Sequence, residues 1–145
     1  MPHDHNYYDT LIAVADDCPV DHSEVPEDKP GKKTVANIHY EMLADKPFSV
    51  RQEDVLFETW LRRQPDQPTE PGEIAELRQE FFAKPKPCLR TSPLAKRYGW
   101  GFIFDHEGRV KLSPMESEEY RHLLKSGEVK VLKAMASSRN RSGRQ

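Results

Sequence analysis

The chain has 145 residues, 36% of them hydrophobic and 32% charged, with 12 prolines, so it holds material for one modest core and a good deal of loop. A net charge of −2 argues against whole-protein attraction to nucleic acid or a membrane surface. The longest aliphatic stretch, Leu11 to Ala15, is too short to cross a bilayer. Two cysteines 70 positions apart, Cys18 and Cys88, and a start with no basic or apolar leader point to a reduced, cytoplasmic protein.

Charge is unevenly placed. Residues 1–28 carry eight acids and no Lys or Arg, whereas 129–145 carry Lys130, Lys133, Arg139, Arg141 and Arg144 and no acid. Residues 7–15 read as a largely buried strand, short, β-branched and stopped by Asp16-Asp17. A long acidic loop over 16–33 follows, broken by Pro19, Pro26 and Pro30-Gly31; loops of that length are mobile or functional.

Over 34–43, Ala36, Ile38, Tyr40 and Met42 alternate with Asn37, His39 and Glu41, which predicts a strand with one polar face. Ser49 and Gln52, at capping-box spacing, open a helix over about 50–63 with Val55, Leu56, Trp60 and Leu61 inward and Trp60 as its anchor. A proline connector leads to a second helix, about 73–83, burying Ile74, Leu77 and Phe81.

Trp100, Phe102 and Phe104 alternate before the turn Asp105-His106-Glu107-Gly108, and Val110 and Leu112 alternate after it, as in a β-hairpin. Pro114 near the first position of a third helix, about 115–126, would turn Tyr120, Leu123 and Leu124 inward, with Gly127 as its stop. Residues 129–136 fit an edge strand or a helix equally, and 137–145, without an apolar residue, reads as a disordered basic tail. The expected fold is α+β: one domain over 1–136, a mixed or antiparallel sheet of four to five strands, about three helices.

The segment from Cys88 to Gly101 holds the candidate chemistry. Ser92-Pro93 is an N-cap and N1 pair, and the turn it opens could receive an anion from Arg90, Ser92, Lys96, Arg97 and Tyr98. The plainer reading is that Ser92 only caps, while Lys96 and Arg97 complement the helix dipole. Cys88 lies among Lys84, Lys86 and Arg90, cations that favour a thiolate, and His39 is its candidate base; His39 with Glu41, on one strand face, could form an acid–base pair or two metal ligands. Six scattered histidines lack ligand spacing, so no metal or other cofactor is expected.

The stretch PCLRTSPLAKRYGWG, with QEDVLFE before it and MESEEYRHL and KAMASSR after it, resembles a family of small uncharacterised bacterial proteins over about residues 6–138. The resemblance implies a one-domain bacterial cytoplasmic protein and assigns no activity. Tyr98 to Gly101, leading into the hairpin, is similar to a hairpin in the N-terminal domain of competence-regulator-like proteins, which favours α+β.

The reading is a binding module for an anionic small molecule, nucleotide or protein partner, not for nucleic acid or membrane. The alternatives are a small enzyme using Cys88 or His39, or a regulatory interaction protein. Oligomeric state is not legible in the residues.

Overall fold

The computed structural model describes residues 6–27, 34–64, 68–84 and 88–135. Four strands, β1 (Thr10–Ala13), β2 (Trp100–Phe104), β3 (Val110–Pro114) and β4 (Lys130–Lys133), make one mixed sheet in the order β3-β2-β1-β4. β2 is antiparallel to both neighbours, while β1 and β4 are parallel. Five α-helices accompany the sheet: α1 (Val35–Leu43), α2 (Gln52–Arg62), α3 (Pro71–Phe82), α4 (Pro93–Arg97) and α5 (Glu118–Ser126). The class is α+β as expected, with more helices among the described residues than the three anticipated.

Alternation along the strands sorts the sheet's two faces. Ile12, Phe102, Phe104, Val110 and Leu112 turn to one side and pack with Ala36 and Leu43 of α1, Val55 of α2, and Leu89, Leu94 and Ala95 of the segment ending in α4. Leu11, Ala13 and Ile103 turn to the other side, where Tyr120 and Leu123 of α5 cover them. The Tyr120 hydroxyl also accepts the Val14 backbone N–H at 2.8 Å, which fastens α5 to the end of β1. β3 is not a free edge: Val110 donates to the Val50 carbonyl and accepts from Phe48 N–H. At β4, Arg90 covers the far end, its Nε donating to the Lys133 carbonyl at 2.6 Å and its carbonyl accepting Met135 N–H.

The hairpin is where expected. Asp105 Oδ1 accepts the N–H groups of Glu107 and Arg109, and Gly108 takes φ 85°, a left-handed turn conformation that glycine adopts without penalty.

Several expectations are corrected. Residues 35–43 are a helix, not a strand. Thr34 accepts Asn37 N–H and the Asn37 side chain accepts Thr34 N–H, a closed capping box. Ala36, His39, Tyr40 and Leu43 then form the i, i+3, i+4, i+7 stripe that the alternating pattern concealed. α2 is capped by Asp54 accepting the Arg51 N–H, while Ser49 donates to the Lys46 carbonyl instead. Val55 and Leu61 are buried as expected, joined by Gln52, Phe57 and Thr59, whereas Trp60 is only half-buried.

Pro114 ends β3, and Ser117 caps α5 by accepting Tyr120 N–H, which leaves Leu124 40% exposed. α3 forms close to where its period places it but buries no residue completely; Ile74, Leu77 and Phe81 are half-covered. The ambiguous 129–136 stretch resolves as the strand β4, with Gly127 (φ 76°) ending α5 before it. Part of the acidic loop, 28–33, and the basic tail from 136 onward lie outside the described residues.

Candidate functional site

Residues 88–98 fold as a 3-10 turn, Leu89–Thr91, followed directly by α4. Leu89, Leu94 and Ala95 are fully buried and root this segment in the core, so its outward groups stand on a rigid base. Gln52, at the start of α2, adds a buried brace: its Oε1 accepts the Leu89 N–H at 2.8 Å.

The Ser92-Pro93 pair is the expected cap. Ser92 Oγ accepts Leu94 N–H, and it also lies 2.8 Å from His39 Nδ1. With 1% of its surface exposed, Ser92 supports the turn from inside and is not presented to a ligand. Burial holds His39 down to about 4, so the ring is neutral and joins α1 to α4 as a hydrogen-bonded core residue. Glu41, two residues on in a helix and so on nearly the opposite side, is exposed and sits 3.7 Å from Arg62. His39 and Glu41 are therefore not an acid–base pair. The exposed polar face expected over 34–43 does not form.

Cys88 is half-buried, and its sulfur receives the Tyr7 hydroxyl at 3.1 Å. Burial first, then the bond to Cys88, push the Tyr7 phenol up to about 12, while Arg90 pulls the other way. The phenol is thus a persistent donor across the neutral range. Sequence spacing carried no sign of this contact, because Tyr7 and Cys88 are 81 positions apart. The bond that would make Cys88 a base-assisted nucleophile, one to His39, is replaced by His39–Ser92.

The amides that the anion reading relied on are engaged at home. Thr91 N–H goes to the Cys88 carbonyl, Ser92 N–H to the Leu89 carbonyl, and Leu94 N–H to Ser92 Oγ. What the segment does present is cationic side chains. Some described cations sit on carboxylates: Arg62 on Glu58 at 2.9 Å, Arg78 on Asp54 at 2.9 Å, Arg109 on Glu107 at 3.2 Å, Lys111 on Glu119 at 2.7 Å and Lys133 on Asp16 at 2.5 Å. Arg90, Lys96 and Arg97 have no such acidic partner among the described residues. Arg90 is half-buried, held by its Nε on Lys133, with its terminal nitrogens beyond that bond. Arg97 is exposed, and Lys96 and Tyr98 are half-exposed. Among the described residues no three of His, Cys, Asp and Glu converge as metal ligands.

A model for a family of unknown function matches residues 2–140. No curated protein and no solved structure matches the chain.

Proposed function

The chain belongs to that family of unknown function (DUF6157), and from the geometry of residues 88–98 we propose that it is a binding module for an anionic small molecule such as a phosphate ester or nucleotide. The observation that carries this reading is a grouping of cations: Arg90, Lys96 and Arg97 lie within eight positions on a segment rooted by Leu89, Leu94 and Ala95, with no carboxylate paired to them among the described residues. Guanidinium groups on a rigid base lose little freedom when they take up a planar anion, and they bind it through paired donors. Tyr98 adds a half-exposed ring beside them.

Ser92 moves from ligand contact to internal support. The reading places the protein in a reducing cytoplasm, which agrees with two free cysteines packed on different parts of the fold; a bacterial host follows from the resemblance alone. The enzyme alternative is weaker, because His39 is neutral, enclosed and bound to Ser92 while Cys88 faces a phenol that stays protonated.

The test is titration of tripolyphosphate and of sulfate, followed by calorimetry and thermal shift, on the wild type and on a Lys96→Gln/Arg97→Gln variant. Binding to the folded state alone raises stability by roughly 2.7 kcal/mol at about 100 times the dissociation constant. Tripolyphosphate should give a saturable response that the variant weakens about tenfold or more, since each charge-assisted bond contributes roughly 1.5–3 kcal/mol. The variant carries its changes on outward side chains, whereas Arg90→Gln would also release Lys133. If wild type and variant respond alike, and only as both do to sulfate through general exclusion, the segment is no binding site.

A further inference from the structure

Cys18 packs half-buried on the α5 side of the sheet, and Pro26 is buried. The seven residues between them include none that is buried. With little apolar area to hold it, the stretch 19–25 depends on polar contacts. Among the described residues, the bonds that tie it to the rest of the fold come from Ser23 and Glu24. Glu24 is bonded on both sides: its N–H donates to the Tyr98 carbonyl at 2.8 Å, and its carbonyl accepts the Trp100 indole N–H at 2.8 Å. Ser23 gives its N–H and its hydroxyl to the Glu116 carboxylate, both at 2.8 Å.

The seat is shaped for a backbone. Gly99 takes φ 78°, and a Cβ there would lie 2.6 Å from the His22 carbonyl oxygen, so the stretch lies flush against the chain at that point. The Gly99 carbonyl accepts Met115 N–H at 3.0 Å, which brings Glu116, in the turn between β3 and α5, to the same corner. On the core side, Tyr40 of α1 meets the Trp100 ring at 5.5 Å, edge to face.

We infer that residues 19–25 form a strap that opens as one unit while the sheet and its helices stay folded, with the Glu116 carboxylate as its clasp. The bonds to Glu116, Tyr98 and Trp100 are made by two adjacent residues, so losing one loosens the others. Glu116 and Glu24 are exposed, and water competes for their bonds. Ala15, whose N–H donates to the Ala95 carbonyl at 2.9 Å, and the buried Pro26 confine the motion to the stretch between them. Opening bares the Trp100 indole N–H and the Tyr98 carbonyl, a donor and an acceptor that Glu24 otherwise occupies, while Tyr40 keeps the Trp100 ring in place. The strap therefore sets whether these two groups meet the chain's own peptide or another molecule. This goes beyond the anion reading and does not depend on it.

The experiment is hydrogen exchange followed by NMR on the full chain, wild type against Glu116→Ala, in dilute urea that leaves the core folded. The N–H groups of Ser23 and Glu24 and the Trp100 indole N–H report the strap, and the amides of β2 report the core. In the wild type the three strap protons should exchange together and about tenfold or more faster than β2; Glu116→Ala should speed all three by about tenfold and leave β2 unchanged. Strap protons that exchange only at the rate of β2 would show that the stretch has no opening of its own. If Ser23 alone speeds up, or none of the three does, Glu116 is not the clasp. Should Glu116→Ala fail to fold, Ser23→Ala, which removes only the hydroxyl bond, is read in its place. A joint acceleration of Glu24 and Trp100 by about threefold supports the strap, and unchanged rates overturn it.

Discussion

Two aromatic clusters in this chain differ in what encloses them. In the first, Phe102 and Phe104 on β2 are 0% and 1% exposed, sandwiched between the sheet and the layer of α1, α2 and α4. In the second, Phe81 of α3 meets Phe57 and Trp60 of α2 at centroid separations of 5.7 and 5.4 Å, and Phe82 lies edge-on to Phe81 at 4.8 Å. Arg78 lies over Phe57 and Phe82 and also reaches Asp54. Phe57 alone of this second group is buried; the others are half-open. Both clusters have strong periodicity in sequence. Periodicity reports which face is apolar, but what covers that face depends on a partner layer, and the ring and ion-pair contacts of α3 named here are with α2. Its position is held by ring edges and a stacked guanidinium, contacts that contribute about 0.5–1.5 kcal/mol each.

The largest effect should separate these clusters. Phe102→Ala, which leaves a cavity between two layers, should cost about 3–5 kcal/mol in a urea melt, and Trp60→Ala about 1–2 kcal/mol because its ring is already half-solvated. A Trp60→Ala cost equal to that of Phe102→Ala would place α3 within the main core.

His39 sharpens the contrast from the chemical side. It titrates near 6.5 when unfolded and near 4 in the fold, where burial disfavours the cation. Between those values the unfolded chain takes up a proton that the native chain does not. The stability due to the neutral ring is therefore complete above pH 6.5 and falls away as the pH drops toward 4, by roughly 3 kcal/mol. Stability measured from pH 7 to pH 4 should show this slope, and His39→Gln should flatten it while costing stability at neutral pH through the lost Ser92 contact. An unchanged slope in the variant would mean the ring is not the group that titrates.

The smallest effect has the opposite sign. Ser113, on the α5 side of β3, is 0% exposed, and its hydroxyl is a buried side-chain group without a hydrogen-bond partner among the described residues. Ser113→Ala should leave the protein equally stable or raise stability by up to about 1 kcal/mol, since an unsatisfied hydroxyl costs more than the methyl that replaces it. A loss of more than about 1 kcal/mol in the same urea assay would show that the hydroxyl has found a partner.

Where local signals act alone, they read correctly. The hairpin needs only alternating apolar residues and a turn built by Asp105 and Gly108, and both are local. The Ser92-Pro93 cap and the Gly127 stop are local too. The 35–43 segment misled because His39 and Tyr40 complete its apolar stripe, and a histidine counts as apolar only when burial has neutralised it. In the candidate site, the cations of 90–97 could be read directly. The roles of Ser92 and His39 could not, because each is defined by the other across 53 positions.

Composition and periodicity alone determined the α+β class, the strand pairs of the hairpin, most helix positions and the cationic character of 88–98, because these depend on residues within one or two turns of one another. Only the tertiary structure decided that β4 pairs parallel with β1, that Tyr7 reaches Cys88, that α3 remains half-covered and that Ala15 and Glu24 bond to the carbonyls of Ala95 and Tyr98. Each of those rests on groups brought together from distant parts of the chain, where closing the intervening loop costs little more with each added residue. Competition among buried faces then chooses the partner, and no local pattern records that choice.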